Sequence, residues 1–181
     1  MRRNRIVDFL KLLLLFLVLG GGSVVLAIIG TEESSGEARV VDGDSLFIGD
    51  KEIRLFGIDA PEYRQVCGSA DRASSSALNC GQKSAAYLRN LIDDRHVACN
   101  GFEEDKYGRL LAVCEIGNLE INREMVLRGW AVAFGDYEKE EALAKKQAIG
   151  VWQGDFDLPS EWRRAEKQKH SKGWLGQIFA W

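Results

Sequence analysis

Histidine is nearly absent and closely spaced cysteines are missing. His96 and His170 are the only histidines and stand far apart, and Cys67, Cys80, Cys99 and Cys114 include no Cys-x-x-Cys pair. Structural zinc sites need clustered Cys and His ligands, so this spacing argues against one. A broad basic surface is missing too. The net charge is −3. The first thirty residues hold four positive charges and one negative, which leaves −6 for residues 31–181. A protein that grips nucleic acid over a wide basic face has the opposite balance, so any phosphate contact must come from a few placed arginines. With 181 residues the chain also lacks room for a second full domain. Its 46% apolar and 28% charged residues are the balance of a globular protein with a buried core.

What the chain does hold begins with an apolar segment. Arg2, Arg3, Arg5 and Lys11 precede an uncharged run of 19 residues from Leu12 to Gly30. At a helical rise of ~1.5 Å this run reaches ~28 Å, close to the ~30 Å of a bilayer's hydrocarbon. The positive flank would stay in the cytoplasm and the remainder would be exported. A cleaved signal peptide competes with an uncleaved anchor, since Gly20-Gly21-Gly22-Ser23 supplies small residues. Val24–Ile29 resumes the apolar run, which favours the anchor. A buried core helix is the third reading. The four cysteines all follow the segment, and an even number in an exported domain reads as two disulfides.

Residues 31–36 are polar and without period, and are expected to be a linker before a folded domain at 37–154. Alternating apolar residues from Glu37 to Ile58, broken at Gly49-Asp50, predict a hairpin, with Asp42-Gly43-Asp44 in its first strand. Residues 63–80 read as a loop with a cysteine at each end. Gln82–Asp93 carries Ala85, Ala86, Leu88, Leu91 and Ile92 at helical spacing. Two strands, His96–Gly101 and Arg109–Ile116, follow around a turn at Tyr107-Gly108, and Gly117-Asn118 makes another hairpin. If the two strands pair antiparallel, Cys99 and Cys114 face each other. Asn122 is expected to cap a short helix that Gly129 stops. Asp136 is expected to begin a third, with Glu138, Glu140 and Glu141 early and Lys145 and Lys146 late, matching the helix dipole. Residues 155–181 hold Trp162, Trp174, Phe179 and Trp181 among basic residues; they read as an extension that packs on the domain, touches a membrane or stays partly ordered.

Several residues suit one reaction. Asp44 and Asp59 are strand-borne carboxylates of the kind a hard cation takes together with carbonyls and waters. Singly, each has a plain structural explanation, as a turn aspartate. Arg54, flanked by Ile53 and Leu55, needs a carboxylate or phosphate partner, because an unpaired buried charge is costly. Arg109 follows a tight turn. Phosphodiester hydrolysis needs a metal, a base for water and cations for the equatorial oxygens. Asp44 and Asp59, then Glu62, then Arg54 and Arg109 would supply them. A glycosidase pair of Asp44 and Glu62 is the weaker reading, because the two arginines fit phosphate better.

Val41-Asp42-Gly43-Asp44-Ser45, Arg54-Leu55-Phe56-Gly57-Ile58-Asp59-Ala60-Pro61-Glu62 and Asp105-Lys106-Tyr107-Gly108-Arg109 resemble the three ordered motifs of the thermonuclease (staphylococcal or micrococcal nuclease) family. The resemblance spans about 37–154. It implies an α+β fold, a five-stranded OB-type barrel with about three helices, and calcium-dependent endonuclease activity on DNA or RNA. By position, Asp44, Asp59 and the Ala60 carbonyl match the calcium ligands, Glu62 the proposed general base, and Arg54 and Arg109 the phosphate-binding arginines, with Tyr107 beside the substrate. Ala60 replaces a frequent threonine, and Phe134 stands near an expected nucleotide-contacting tyrosine. Of three possible connectivities we pair Cys67 with Cys80 and Cys99 with Cys114. The implied protein is a monomer at a bacterial inner membrane, its domain facing the periplasm or exterior, or secreted after cleavage. A non-catalytic OB binding module and an envelope accessory protein are the alternatives; the completeness of the five matched positions favours catalysis.

Overall fold

The computed structural model describes residues 31–68 and 78–178, and the described residues from Glu33 onward form one compact unit. The expected anchor at 1–30 and part of the expected loop at 63–80 lie outside the described residues. Among the described residues, no helix is long and apolar enough to cross a membrane.

The described residues form nine strands: β1 (Glu32–Gly36), β2 (Ala38–Val40), β3 (Ser45–Ile48), β4 (Lys51–Leu55), β5 (Ile58–Asp59), β6 (Val97–Glu104), β7 (Leu110–Ile116), β8 (Leu119–Glu120) and β9 (Val132–Ala133). The helices are α1 (Cys80–Ile92), α2 (Ile121–Leu127), α3 (Glu138–Gln147) and α4 (Pro159–Ile178). Seven strands make one sheet in the order β1-β6-β7-β4-β3-β2, with β8 on β7, and β5 pairs with β9 separately. Within it the path β2-β3-β4-β7-β6 supplies five strands, as an OB-type fold requires, and β4 runs parallel to β7. The rest is added to that set: β1 and β8 extend the sheet, and a fourth helix follows the domain.

Period-two burial decides which way each strand faces. Leu110, Ala112, Cys114 and Ile116 of β7 are buried in alternation, as are Val97, Cys99 and Gly101 of β6. Ile53 and Leu55 of β4 are fully buried, so Arg54 between them is directed to the opposite face. Leu88 and Ile92 of α1 and Ile121, Met125 and Val126 of α2 complete the core, each large aliphatic contributing ~1.5–3 kcal/mol by burial. The hairpin at Gly49-Asp50 pairs Ile48 with Lys51, and that at Gly117-Asn118 pairs Ile116 with Leu119. Cys99 stands directly opposite Cys114, and the disulfides are Cys67–Cys80 and Cys99–Cys114.

Four local expectations are corrected. Residues 31–36 are not a linker: Glu32–Gly36 form β1, because β6 offers a sheet edge that overrides weak strand propensity. Asp42-Gly43-Asp44 is a bend between β2 and β3 rather than strand, closed by Val41 N–H donating to the Ser45 carbonyl at 2.9 Å. Asn122 lies inside α2, with Glu120 at the cap position. Its buried amide instead accepts from Cys114 N–H (3.0 Å) and donates to the Phe56 and Ala112 carbonyls (2.9 and 3.1 Å). Asp136 does not open α3, because Tyr137 adopts φ 68° and the helix starts at Glu138. The Glu-to-Lys charge order along α3 is present. The expected packing of residues 155–181 on the domain is present where they are described: α4 runs from Pro159, with Gly68 N–H bonded to the Asp155 carbonyl (2.7 Å) and Gln65 Nε2 to that of Asp157 (2.7 Å).

Candidate active site

One cleft of about 600 Å³ gathers residues from all three motifs: Asp42, Asp44, Arg54, Ala60, Pro61, Glu62, Asp105, Lys106, Tyr107, Arg109, Arg163 and Lys167. Two close approaches build its floor. A Cβ on Gly43 would lie 2.0 Å from Ser84 Oγ and 2.7 Å from the Ala60 side chain, so the Asp-Gly-Asp bend seats flush on α1. A Cβ on Gly81 would lie 1.8 Å from the Glu62 carbonyl oxygen, so the first turn of α1 supports the Glu62 backbone directly. Gln65, itself buried, accepts from Glu62 N–H at 3.2 Å and pins the same segment from the other side.

Arg54 joins two motifs. Its Nη1 donates to Asp44 Oδ1 at 2.7 Å and its Nη2 to Asp59 Oδ1 at 3.0 Å. Both aspartates are only 3% exposed, so the arginine answers the demand that its apolar flanks posed. One guanidinium can bridge two carboxylates only if they lie side by side, which places Asp44 and Asp59 together. Asp44 also receives Ala60 N–H at Oδ2 (2.7 Å) and Ser45 Oγ–H at Oδ1 (3.1 Å). Burial pushes the Asp44 carboxyl up to about 7, against Arg54 and the Ala60 amide, with Asp42 and Asp59 adding to the rise. Burial lowers the Arg54 pKa, but Asp44 and Asp59 outweigh it and hold the guanidinium above its ordinary value.

Arg109 approaches from the β6–β7 turn. Asp105 fixes it, receiving Nη2 at 2.6 Å, Nε at 2.9 Å and the Arg109 N–H at 3.1 Å. Its Nη1 faces Ser45 Oγ at 3.5 Å, and that hydroxyl touches Asp44, which connects the third motif to the first. The Arg109 guanidinium lies 5.4 Å from the Tyr107 ring, which is 71% exposed at the cleft mouth. Phe134 is exposed but does not line the cleft.

A second bridging arginine had no counterpart in the sequence reading. Arg163 of α4 donates Nη1 to Asp59 Oδ1 (3.0 Å) and Glu62 Oε1 (2.8 Å), and Nη2 to Asp59 Oδ2 (2.8 Å). Thus Asp44, Asp59 and Glu62 form a chain of carboxylates linked by Arg54 and Arg163. Among the described residues, no three His, Cys, Asp or Glu side chains are clustered closely enough to hold an ion by themselves. The side-chain donors offered are the oxygens of two adjacent buried aspartates, and Ala60, whose N–H meets Asp44, lines the same cleft. That set fits a hard cation completed by carbonyls and waters, and a dication there would favour the charged form of Asp44. Gln65, Ser84, Arg163 and Lys167 carried no motif signal. The cue for Gln65 and Ser84 was only that a polar loop and helix start must carry satisfied polar groups where buried.

Fold and site together define a class: an OB-type α+β domain whose cleft sets buried carboxylates against arginines, suited to a phosphorylated ligand. Residues 52–154 match the family model described as staphylococcal nuclease homologue, and the chain belongs to that family. It is similar to a protein of Haemophilus influenzae named an uncharacterized endonuclease, 32% identical over 176 residues, covering 91% of this chain and 88% of the relative. A succinoglycan biosynthesis protein, ExoI, of Rhizobium meliloti is 30% identical over 144 residues, 72% of this chain and 74% of that one. An uncharacterized endonuclease of Escherichia coli is 30% identical over 135 residues, 68% of this chain and 79% of that one. Helix α4, with Arg163, lies beyond the family match.

Proposed function

We propose that this protein is a calcium-dependent endonuclease that hydrolyses phosphodiester bonds of DNA and RNA outside the cytoplasm. The observation that carries the reading is the bridging of Asp44 and Asp59 by Arg54 in the cleft that also holds Glu62 and Arg109. Asp44, Asp59 and the Ala60 carbonyl would hold Ca²⁺, which supplies Lewis acidity toward a phosphoryl oxygen. Arg54 and Arg109 neutralise charge on the equatorial oxygens, Arg109 being aimed by its two-nitrogen grip on Asp105. Glu62 accepts the proton of the attacking water. Tyr107, with an exposed ring beside Lys106 and Arg109, offers a face on which a base can stack, a contact indifferent to sequence.

The cleft gathers Arg54, Lys106, Arg109, Arg163 and Lys167 while residues 31–181 are acidic as a whole, which suits an enzyme that meets a phosphate locally and releases its product rather than a protein that coats nucleic acid. The apolar segment after Arg2, Arg3 and Arg5 and the two disulfides support export, with the segment retained as a membrane anchor. All residues named lie in one chain, so a monomer suffices. The test is steady-state cleavage of a defined oligonucleotide by the purified full-length chain. Glu62→Gln and Arg109→Ala each lower kcat by ~10²–10⁴ while thermal melting stays near wild type. Full rate in either variant would remove that residue from the mechanism.

A further inference from the structure

The carboxylates assigned to cation binding are already in contact with a cation. Arg163 lays the fork of its guanidinium across both oxygens of Asp59 and reaches Glu62 with the same Nη1. Asp59 is buried and also receives Arg54, so its oxygens carry three N–H donors between them. A divalent ion seated on Asp59 would need those lone pairs and would stand within a few ångströms of a guanidinium that cannot lose its charge. Arg54 takes only Oδ1 of Asp59, whereas Arg163 Nη2 takes Oδ2, so an ion and Arg163 compete for the oxygen that Arg54 leaves open.

The delivery of Arg163 does not depend on its own ion pairs. The segment leading into α4 is held by Gln65 Nε2 on the Asp157 carbonyl and by Gly68 N–H on that of Asp155, both at 2.7 Å. Phe156 packs edge-on against Trp152, with ring centres 5.4 Å apart, and Trp162 borders one surface pocket with Arg64 and Val66. One helical turn beyond Arg163, Lys167 lines the same cleft. The helix therefore holds a guanidinium at the carboxylates by packing that the guanidinium does not itself provide, which raises its local concentration there.

We propose that α4 is a built-in competitor of the divalent ion: Arg163 occupies Asp59 and Glu62 in the metal-free protein and must leave them for the ion to bind. The proposal rests on the calcium site put forward above. It makes metal affinity a property set by a helix outside the family match, since the ion binds only the fraction of molecules from which Arg163 has withdrawn. It also keeps one oxygen of Glu62 in contact with Arg163 until the metal arrives.

The experiment is calcium titration by calorimetry on the full-length chain and two variants. Arg163→Gln removes the competing cation, whereas Arg164→Gln removes the same charge one residue away, where Arg164 bonds the Ser160 carbonyl and faces solvent. The expected result is Ca²⁺ affinity raised about tenfold in Arg163→Gln, the ratio that corresponds to about 1.4 kcal/mol. Arg164→Gln stays within about twofold of wild type. Unchanged or weaker binding in Arg163→Gln overturns the competition while leaving the calcium site intact. An equal rise in both variants also overturns it, by showing a general charge effect. No binding by any of the three proteins overturns both the competition and the calcium reading.

Discussion

Gly81→Ala separates the placement of Glu62 from the stability of the fold. An added Cβ would sit 1.8 Å from the Glu62 carbonyl oxygen, 2.6 Å from its carbonyl carbon and 2.8 Å from the Tyr63 carbonyl carbon, all backbone atoms that no rotamer change can clear. Ordinary contact begins at 3.4 Å, so α1 and the Glu62 segment must part by about 1.6 Å. Overpacking of this kind costs ~1–3 kcal/mol. Gly81 is helical, however, and alanine there regains up to ~1 kcal/mol of helix propensity. The net loss is then ~0–2 kcal/mol, or at most about 8 °C in Tm for a domain of this size. Catalysis is less forgiving: a misplacement of ~1 Å costs about 10²-fold. The expected outcome is a folded protein whose kcat/KM for a defined oligonucleotide falls at least about 100-fold, read by cleavage kinetics beside a melting curve. Gly49→Ala is the control, a strained hairpin position at φ 59° with nothing within 4 Å, expected to lower Tm slightly and leave kcat/KM alone. Wild-type kinetics in Gly81→Ala would refute the claim that α1 sets the position of Glu62.

Other perturbations test the surrounding structure. Arg54→Ala leaves Asp44 and Asp59 buried without their shared cation; urea denaturation of the metal-free protein should show a loss of about 3 kcal/mol, the lower end for a broken buried ion pair because Arg54 retains some exposure. Asn122→Ala strips the Cys114 N–H and the Phe56 carbonyl of this partner, while the Ala112 carbonyl keeps the Phe56 N–H at 2.9 Å, and should lower stability by ~2–4 kcal/mol in the same assay. A Cys99→Ala, Cys114→Ala double variant opens a link spanning 15 residues, and its midpoint should shift by the equivalent of ~3 kcal/mol with nuclease rate retained at low temperature.

The parts of the fold that were legible in the sequence are those written in local pattern. Two-residue turns at Gly49-Asp50 and Gly117-Asn118 announce themselves by composition, and alternation along β7 reveals its buried face before any partner is known. The cysteine pairing was readable once Cys99 and Cys114 were placed on strands flanking one turn. Non-local pairing is what the sequence withheld. The strand at Glu32–Gly36 looks like a linker because its residues have little β preference, and only the edge of β6 makes it a strand. Asn122 looks like a cap because capping is a local habit of asparagine, whereas its amide serves β7 and the residue after β4. At the site, the motif residues Asp44, Arg54, Asp59, Glu62 and Arg109 could be named from order and spacing. Arg163 could not, because nothing local distinguishes it from Arg164; its contact with Asp59 spans 104 positions and depends on how α4 docks.

The most direct measurement is degradation of DNA and RNA by the full-length chain, purified under oxidising conditions, with excess Ca²⁺ and then with EGTA added. The account predicts that both polymers are cut in calcium, that chelation stops the reaction and restored calcium revives it, and that Asp59→Asn is inert throughout. Cleavage that persists in EGTA, or an Asp59→Asn variant as fast as wild type, would contradict it.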